Sequence, residues 1–348
     1  MKRLLTVLLA LVMVLAMLTA CSAPAAETVS PSETQTAAPV ETAEDTPAET
    51  PSPAPAAAYD EDNPLSVATL AGPTGMGMIE LFANPAYDVS LLTTPDQISP
   101  KIISGEATVA TIPSNLAAVL YNKMKGGIKI VSVNTMGVLY VVENGDTVSS
   151  IEDLAGKTLY ATGQGATPEY VLNKILKENG LDDVTVQYMG AHADLANAVA
   201  AGDVKLALLP EPFVSAVLAQ NPDVTVKLDI NTEWRKIFGE DAGMPMGVTV
   251  VSSAFAQDQA SMNQLIADYT ASVNDVVADP EGAAKDIVAQ QIVGAEPVAK
   301  AAIPRCGLSF ITGEECKAIL EDYFQVMFES NPESVGGAVP DDDIYYMP

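Results

Sequence analysis

From Pro64 onward, the hydrophobic and polar positions alternate between two periods. Short apolar runs such as LSVATL at 65–70, TLYAT at 158–162 and GVTVVS at 247–252 read as strands. Between them lie segments whose apolar residues recur three and four apart, the spacing of one helix face. The segment after Thr162 is the clearest. Gly163, Gln164, Gly165, Ala166 and Thr167 form a turn, with Thr167 where an N-cap belongs, Pro168 at the first helical position and Glu169 in the first turn. Val171, Leu172, Ile175 and Leu176 then give one apolar face, and Gly180 closes the helix. Strands alternating with amphipathic helices predict an α/β fold with mixed sheets flanked by helices.

The pattern also repeats. KIISGEATVATIPSNLAAVL (101–120) parallels NAVAAGDVKLALLPEPFVSAVL (197–218). In each, a helix meets a Gly-acid pair (Gly105-Glu106, Gly202-Asp203), a strand follows, and a proline eight residues after the glycine (Pro113, Pro210) ends it before a new helix. Two units of one design predict two lobes. The strands at 138–142 and 247–252 bracket the second unit, as a two-strand hinge requires. That places one lobe at 64–144 plus 245–348 and the other at 145–244.

Composition changes the picture at the N-terminus. Lys2 and Arg3 precede a stretch, 4–17, that is apolar apart from Thr6, so residues 1–20 read as a signal peptide outside the fold. Residues 22–63 are mostly Ala, Pro, Thr, Ser and Glu, with nine acidic residues and no Lys or Arg. Such a segment cannot bury enough apolar surface to offset its ordering entropy, so 21–63 reads as an acidic tether reaching roughly 35–40 Å as a coil. Over the whole chain, 45 Asp and Glu stand against 17 Lys and Arg. This excludes nucleic acid as a partner, since that binding rests on cations neutralising phosphates.

LAGPTGMGMIEL (70–81) holds three glycines in six residues, and ATGQG repeats the theme at 161–165. Neither turn carries the Lys-Ser/Thr pair of a P-loop or the spacing of a dinucleotide fingerprint. Both precede helices, so their amides are expected to face a ligand beyond the carboxyl ends of the strands; close helix–strand packing is the alternative. His192 is the only histidine and reads as a surface residue. The Met-x-Met pairs at 76/78 and 244/246 read as adaptable apolar lining, without a metal site. Asp341, Asp342 and Asp343 read as a solvated run near the C-terminus. Cys306 and Cys316, ten apart, are a candidate disulfide in an oxidising compartment. No activated nucleophile or acid–base pair stands at a motif spacing, which argues against an enzyme and for no cofactor.

Two resemblances add to this. Leu18-Thr19-Ala20-Cys21 resembles the lipobox of bacterial lipoproteins, which implies that Cys21 is lipidated and anchors the chain outside the cytoplasm; a plain secretory signal is the alternative. GPTGMGM (72–78), IPSNLAAVLYNK (112–123), MGVLYVVENG (136–145), IEDLAGKTLYATGQGATPEYVL (151–172) and LLPEPF (208–213) resemble the substrate-binding lipoproteins of ABC importers, in the family of aliphatic-sulfonate, nitrate, taurine and thiamine-pyrimidine-precursor binders. The resemblance implies a type II periplasmic-binding-protein fold that captures a small ligand between its lobes as a monomer and delivers it to a permease and its ATPase. Presentation to a membrane sensor, or an enzyme on the same fold, is the alternative. Carried over by position, the ligand site draws on Gly72, Pro73, Thr74, Gly75, Met76, Ser114, Asn115, Asn134, Thr135, Gly163, Gln164, Gly165, Ala166, Thr167 and Glu211, with Met78 and Leu209 as further apolar walls. Ser114 also suits a helix N-cap, and Glu211 a helix start. Only Arg3, Arg235 and Arg305 exist, none in these turns, so a neutral or singly charged ligand is expected in place of one needing a bidentate clamp.

Overall fold

A computed structural model describes residues 58–240 and 242–348. The signal peptide, Cys21 and all but the end of the expected tether lie outside the described residues. The described residues belong to one compact unit.

The first sheet is built by β1 (Leu65–Leu70), β2 (Tyr87–Leu92), β3 (Val109–Pro113) and β4 (Ile128–Met136), linked through α1 (Pro73–Met76), α2 (Ile79–Ala83), α3 (Pro95–Ser104) and α4 (Ser114–Met124). The chain then builds a second sheet from β5 (Leu139–Asn144), β6 (Thr158–Ala161), β7 (Thr185–Tyr188), β8 (Leu206–Pro210) and β9 (Val224–Asp229). Its helices are α5 (Thr167–Glu178), α6 (His192–Ala201), α7 (Phe213–Gln220) and α8 (Ile230–Phe238). It returns to the first sheet with β10 (Pro245–Ser252) and β11 (Leu308–Thr312), accompanied by α9 (Gln259–Ala278), α10 (Pro280–Ala289), α11 (Glu296–Ala302) and α12 (Gly313–Ser330).

The strand orders are β11-β4-β10-β3-β1-β2 and β7-β6-β8-β5-β9. Without β11, the two sheets share one plan. Three parallel strands, with the first between the other two, are followed by an antiparallel strand, β10 or β5, and a last one beyond it. The repeated sequence pattern therefore corresponds to a repeated topology. Gly105 and Gly202 both close helices, α3 and α6, as expected from the Gly-acid pairs. Pro113 and Pro210 end β3 and β8, where a residue without an N–H can finish a strand but not extend its ladder.

The crossings between sheets fall at 137–138 and 239–244, and the Gly137 amide ties them by donating to the Met244 carbonyl at 2.9 Å. Since β5 already belongs to the second sheet, the second lobe begins near 138, ahead of the expected 145. The fourth strand of each sheet is the one that follows a crossing. That strand lies inside its sheet and not at an edge.

Three other expectations are corrected. The tether stops short of 63, because Tyr59 is buried: its ring lies 5.4 Å from that of Tyr87, and their hydroxyls are 2.9 Å apart. Cys306 and Cys316 are free and separately buried, Cys306 against the Met76 sulfur at 3.8 Å and Cys316 on α12. Burial pushes the Cys316 thiol up to about 12 and raises that of Cys306 well above the usual thiol range. The Asp341–343 run is bonded and not merely solvated. Asp341 accepts from the Tyr121 hydroxyl, Asp342 pairs with Lys317 at 2.7 Å and Asp343 with Lys129 at 2.6 Å, securing the buried Ile344, Tyr345 and Tyr346.

Candidate functional site

The carboxyl ends of β1 and β3 in one lobe meet those of β6 and β8 in the other, and two polar contacts join them. At one side, the Thr167 hydroxyl at the start of α5 donates to Asn115 Oδ1 on α4, at 2.9 Å. At the other, Arg305, in a 3-10 turn over Ile303–Arg305, reaches Glu211 between β8 and α7. Its Nε donates to Glu211 Oε1 at 2.5 Å, and its Nη2 to the Ser215 hydroxyl at 2.8 Å. The Ser215 hydroxyl and amide donate in turn to the Glu211 carboxylate at 3.0 and 3.1 Å. Tyr140 of β5 donates its phenol proton to the Arg305 carbonyl at 2.9 Å, so the turn bearing the arginine is held from both ends. The Glu211 side chain is fully buried, whereas a third of the Arg305 side chain is exposed.

Between these contacts lies a second polar group on the first sheet. Asn134 donates to the Thr249 hydroxyl at 3.1 Å and accepts from Thr135 at 3.0 Å. Thr74 on α1 bonds back to the Leu70 carbonyl at 3.1 Å. All three surround Gly247. A Cβ there would stand 2.6 Å from Asn134 Oδ1, 2.8 Å from the Thr74 methyl and 3.1 Å from the Thr135 hydroxyl. Gly247 is therefore required by close approach, a role the sequence did not assign to it.

The structure thus brings together Thr74, Ser114, Asn115, Asn134, Thr135, Thr167 and Glu211 at the lobe interface, but several assigned roles differ. Ser114 does not cap α4; its hydroxyl donates to the Pro245 carbonyl at 2.6 Å. Thr167 is the first residue of α5, and Ala166 is the N-cap, because the threonine hydroxyl is committed to Asn115. Glu211 faces an arginine, which leaves it no free charge for a ligand amine. Met76, Met78 and Leu209 lie in the cores of the lobes and not on a cleft wall.

The glycine-turn amides are also largely spent. Gly75 and Met76 donate to the Gly72 carbonyl, Ala166 to that of Gly163, and Gly165 to the Glu169 carboxylate at 2.6 Å. After Gly72 and Pro73, α1 lasts a single turn. Gly75 packs closely: a Cβ would meet the Leu70 carbonyl oxygen at 2.9 Å. The packing alternative accounts for this turn. In the second turn, Gln164 and Gly165 are exposed and line a cavity of about 590 Å³ with Glu169, Tyr170, Lys174 and Asn331. A cavity of about 510 Å³ lies between α8 and α12, walled by Phe238, Ile319, Tyr323 and Val326.

His192 is not a free surface residue. Its ring packs at a tilt against Phe213, 5.4 Å between centroids, its Nδ1 lies 2.5 Å from the Thr162 hydroxyl, and burial pushes its imidazole below the usual histidine range. Among the described residues no helix is long and apolar enough to cross a membrane, and no group of three or more His, Cys, Asp or Glu could hold a metal. The residues sequence reasoning missed, Arg305, Ser215, Tyr140, Gly247 and Tyr323, carry no local motif. Rarity was the one available sign, in an arginine that is one of three in the chain.

Residues 87–268 match the family model described as "ABC transporter, phosphonate, periplasmic substrate-binding protein". A crystal structure of an ABC transporter from Parabacteroides distasonis is similar at 23% identity and a TM-score of 0.70, over 81% of this chain and 98% of that one. The periplasmic aliphatic sulphonate binding protein SsuA of Escherichia coli is similar at 17% identity and a TM-score of 0.59, over 80% and 90%. The alkanesulfonate-binding protein SsuA of Xanthomonas axonopodis pv. citri, bound to MOPS, is similar at 16% identity and a TM-score of 0.56, over 76% and 92%. No curated protein matches. At these identities the solved structures establish the two-lobed mixed α/β fold.

A double-mutant cycle tests the inter-lobe ion pair. Arg305→Ala strands a fully buried carboxylate and should destabilise the chain by about 2–3 kcal/mol, below the range for a wholly buried pair because the arginine is partly solvated. Glu211→Gln leaves a cation that water can reach and should cost less. The double variant should recover part of the Arg305→Ala loss in urea unfolding. Equal single losses that simply add would show that the pair is not coupled.

Proposed function

Because the chain belongs to the family of periplasmic substrate-binding proteins of ABC transporters, we propose that it captures a small ligand between its two lobes and delivers it to an importer permease and its ATPase. The observation that carries this reading is the contact between lobes. Among the described residues, the two sheets of one topology face each other across a few directional bonds, chiefly Thr167–Asn115 and Glu211–Arg305, with a long one from Asn331 to Tyr170. Such contacts form over a short range and vanish when the lobes part, which suits a hinge closing on a ligand. The work is binding and not catalysis, performed by a monomer.

The ligand is neutral or singly charged. Arg305, the arginine at this interface, has two of its donors committed to Glu211 and Ser215, which leaves no second guanidinium to clamp a dianion. The ligand site comprises Thr74, Ser114, Asn115, Asn134, Thr135 and Thr167 at the interface, with Gln164 and Gly165 at its edge. A lipidated Cys21 holds the chain outside the cytoplasm, and the acidic segment before Tyr59 gives the lobes reach from the membrane.

A ligand screen on residues 53–348 tests this, reading the melting temperature against taurine, alkanesulfonates, methylphosphonate, nitrate, pyrimidines, carboxamides and small amines. A true ligand at a hundred times its dissociation constant adds about 2.7 kcal/mol of stability. No shift with any compound, together with turnover of one of them, would make the chain an enzyme instead. For the anchor, Cys21→Ser should move the chain from the membrane fraction to the soluble one; retention would mean that lipid is not what holds it.

A further inference from the structure

Tyr323 stands where both lobes and the C-terminal helix meet. It lies on α12 in the first lobe and is 1% exposed. Its ring centroid is 5.9 Å from that of Trp234 on α8, in the second lobe. Its hydroxyl sits beside those of Ser114 and Thr167, one from each lobe. Yet among the described residues the phenol oxygen meets no partner at hydrogen-bonding geometry, those two neighbouring hydroxyls included. A buried hydroxyl without a partner is costly, and native structures retain one where something else is to fill the gap.

The hydroxyl protons of the neighbours do not fill it, because they are committed elsewhere. Ser114 donates to the Pro245 carbonyl at 2.6 Å, Thr167 to Asn115 Oδ1 at 2.9 Å, and the Asn115 amide nitrogen to the Ser334 carbonyl at 3.3 Å. What the cluster offers is the Tyr323 proton, the second amide proton of Asn115, and the remaining lone pairs of the Ser114 and Thr167 oxygens, which the phenol does not meet at hydrogen-bonding geometry. Burial raises the phenol's pKa, so the proton stays on it at neutral pH. None of the four side chains is charged, and none of them is hydrogen-bonded to a lysine or arginine.

We propose that Tyr323 is a ligand-recognition residue of the inter-lobe cleft, donating to a neutral group that accepts one hydrogen bond and returns another to Ser114 or Thr167. A carboxamide or lactam has that pair of functions on adjacent atoms. An oxyanion does not: it has no proton to give the two hydroxyl oxygens, and no cation in the cluster would balance its charge once desolvated. Opening the lobes breaks the Thr167–Asn115 bond and exposes Asn115 Oδ1 as a further acceptor, so ligand entry and lobe opening are the same event at this point. This assignment rests on the binding-protein reading above.

Titration calorimetry on the full chain tests it, with nicotinamide, uracil and 2-pyrrolidone as neutral probes and methylphosphonate, ethanesulfonate and nitrate as anionic ones. At least one neutral probe should bind wild type saturably, and Tyr323→Phe should weaken that binding by about tenfold or more. The melting temperature of the ligand-free variant should be unchanged or higher, since the substitution removes only an unpaired hydroxyl; a merely structural tyrosine would lower it and leave affinity alone. Unchanged affinity in Tyr323→Phe, or binding of anionic probes only, overturns the assignment while leaving a binding protein. Binding of none of the six overturns it as well, and the binding-protein reading then stands or falls on the wider screen.

Discussion

A carboxylate with no exposed surface cannot stay charged without a partner, and Glu211 has its cation on the other lobe. This requirement fixes much of the geometry. Arg305 must be delivered across the interface, so the 3-10 turn that bears it is held by the Tyr140 phenol on the opposite lobe. Ser215, one helical turn beyond Glu211, completes the carboxylate's bonds and accepts from the same guanidinium. Desolvation offsets most of the Coulomb gain in such a pair, so its weight lies less in stability than in geometry. On the proposed binding role, the lobes are together at one separation or apart with Glu211 in water.

The opposite side of the interface is set by uncharged groups. Thr167 and Asn115 join the lobes through a single hydrogen bond, which water can replace on opening at little cost. Tyr323 lies behind that bond with an unused proton. One side of the cleft is thus an electrostatic contact and the other an adaptable polar one. On the proposed function, a ligand meets the second, where the bonds are weak enough to exchange.

Much of the fold was legible because its determinants are local. The alternation of strand and helix periods, the Gly-acid pairs that close α3 and α6, and the prolines that end β3 and β8 are set by neighbours within a few residues. The repeat was legible for the same reason, and it became the shared strand order of the two sheets. The crossing was placed several residues late because a strand's period does not say which sheet it joins; β5 reads the same in either. The tether was carried too far because its composition outweighed a single tyrosine, Tyr59, whose burial depends on Tyr87 and Phe255.

The site was legible in its parts and not in its pairing. Asn115 and Thr167, or Glu211 and Arg305, are tens of residues apart or more, and nothing in either stretch announces its partner. Glycine turns suggest free amides, but whether those amides bond to their own chain, as at Gly75 and Gly165, is decided by backbone angles that the residue names leave open. The most direct test of the central claim is the distance between the lobes in solution, read by spin labels at the exposed Lys123 of α4 and Lys177 of α5. With a ligand from the screen, the account predicts that a broad distribution collapses to a single short distance. One unchanged distance with and without ligand would contradict it.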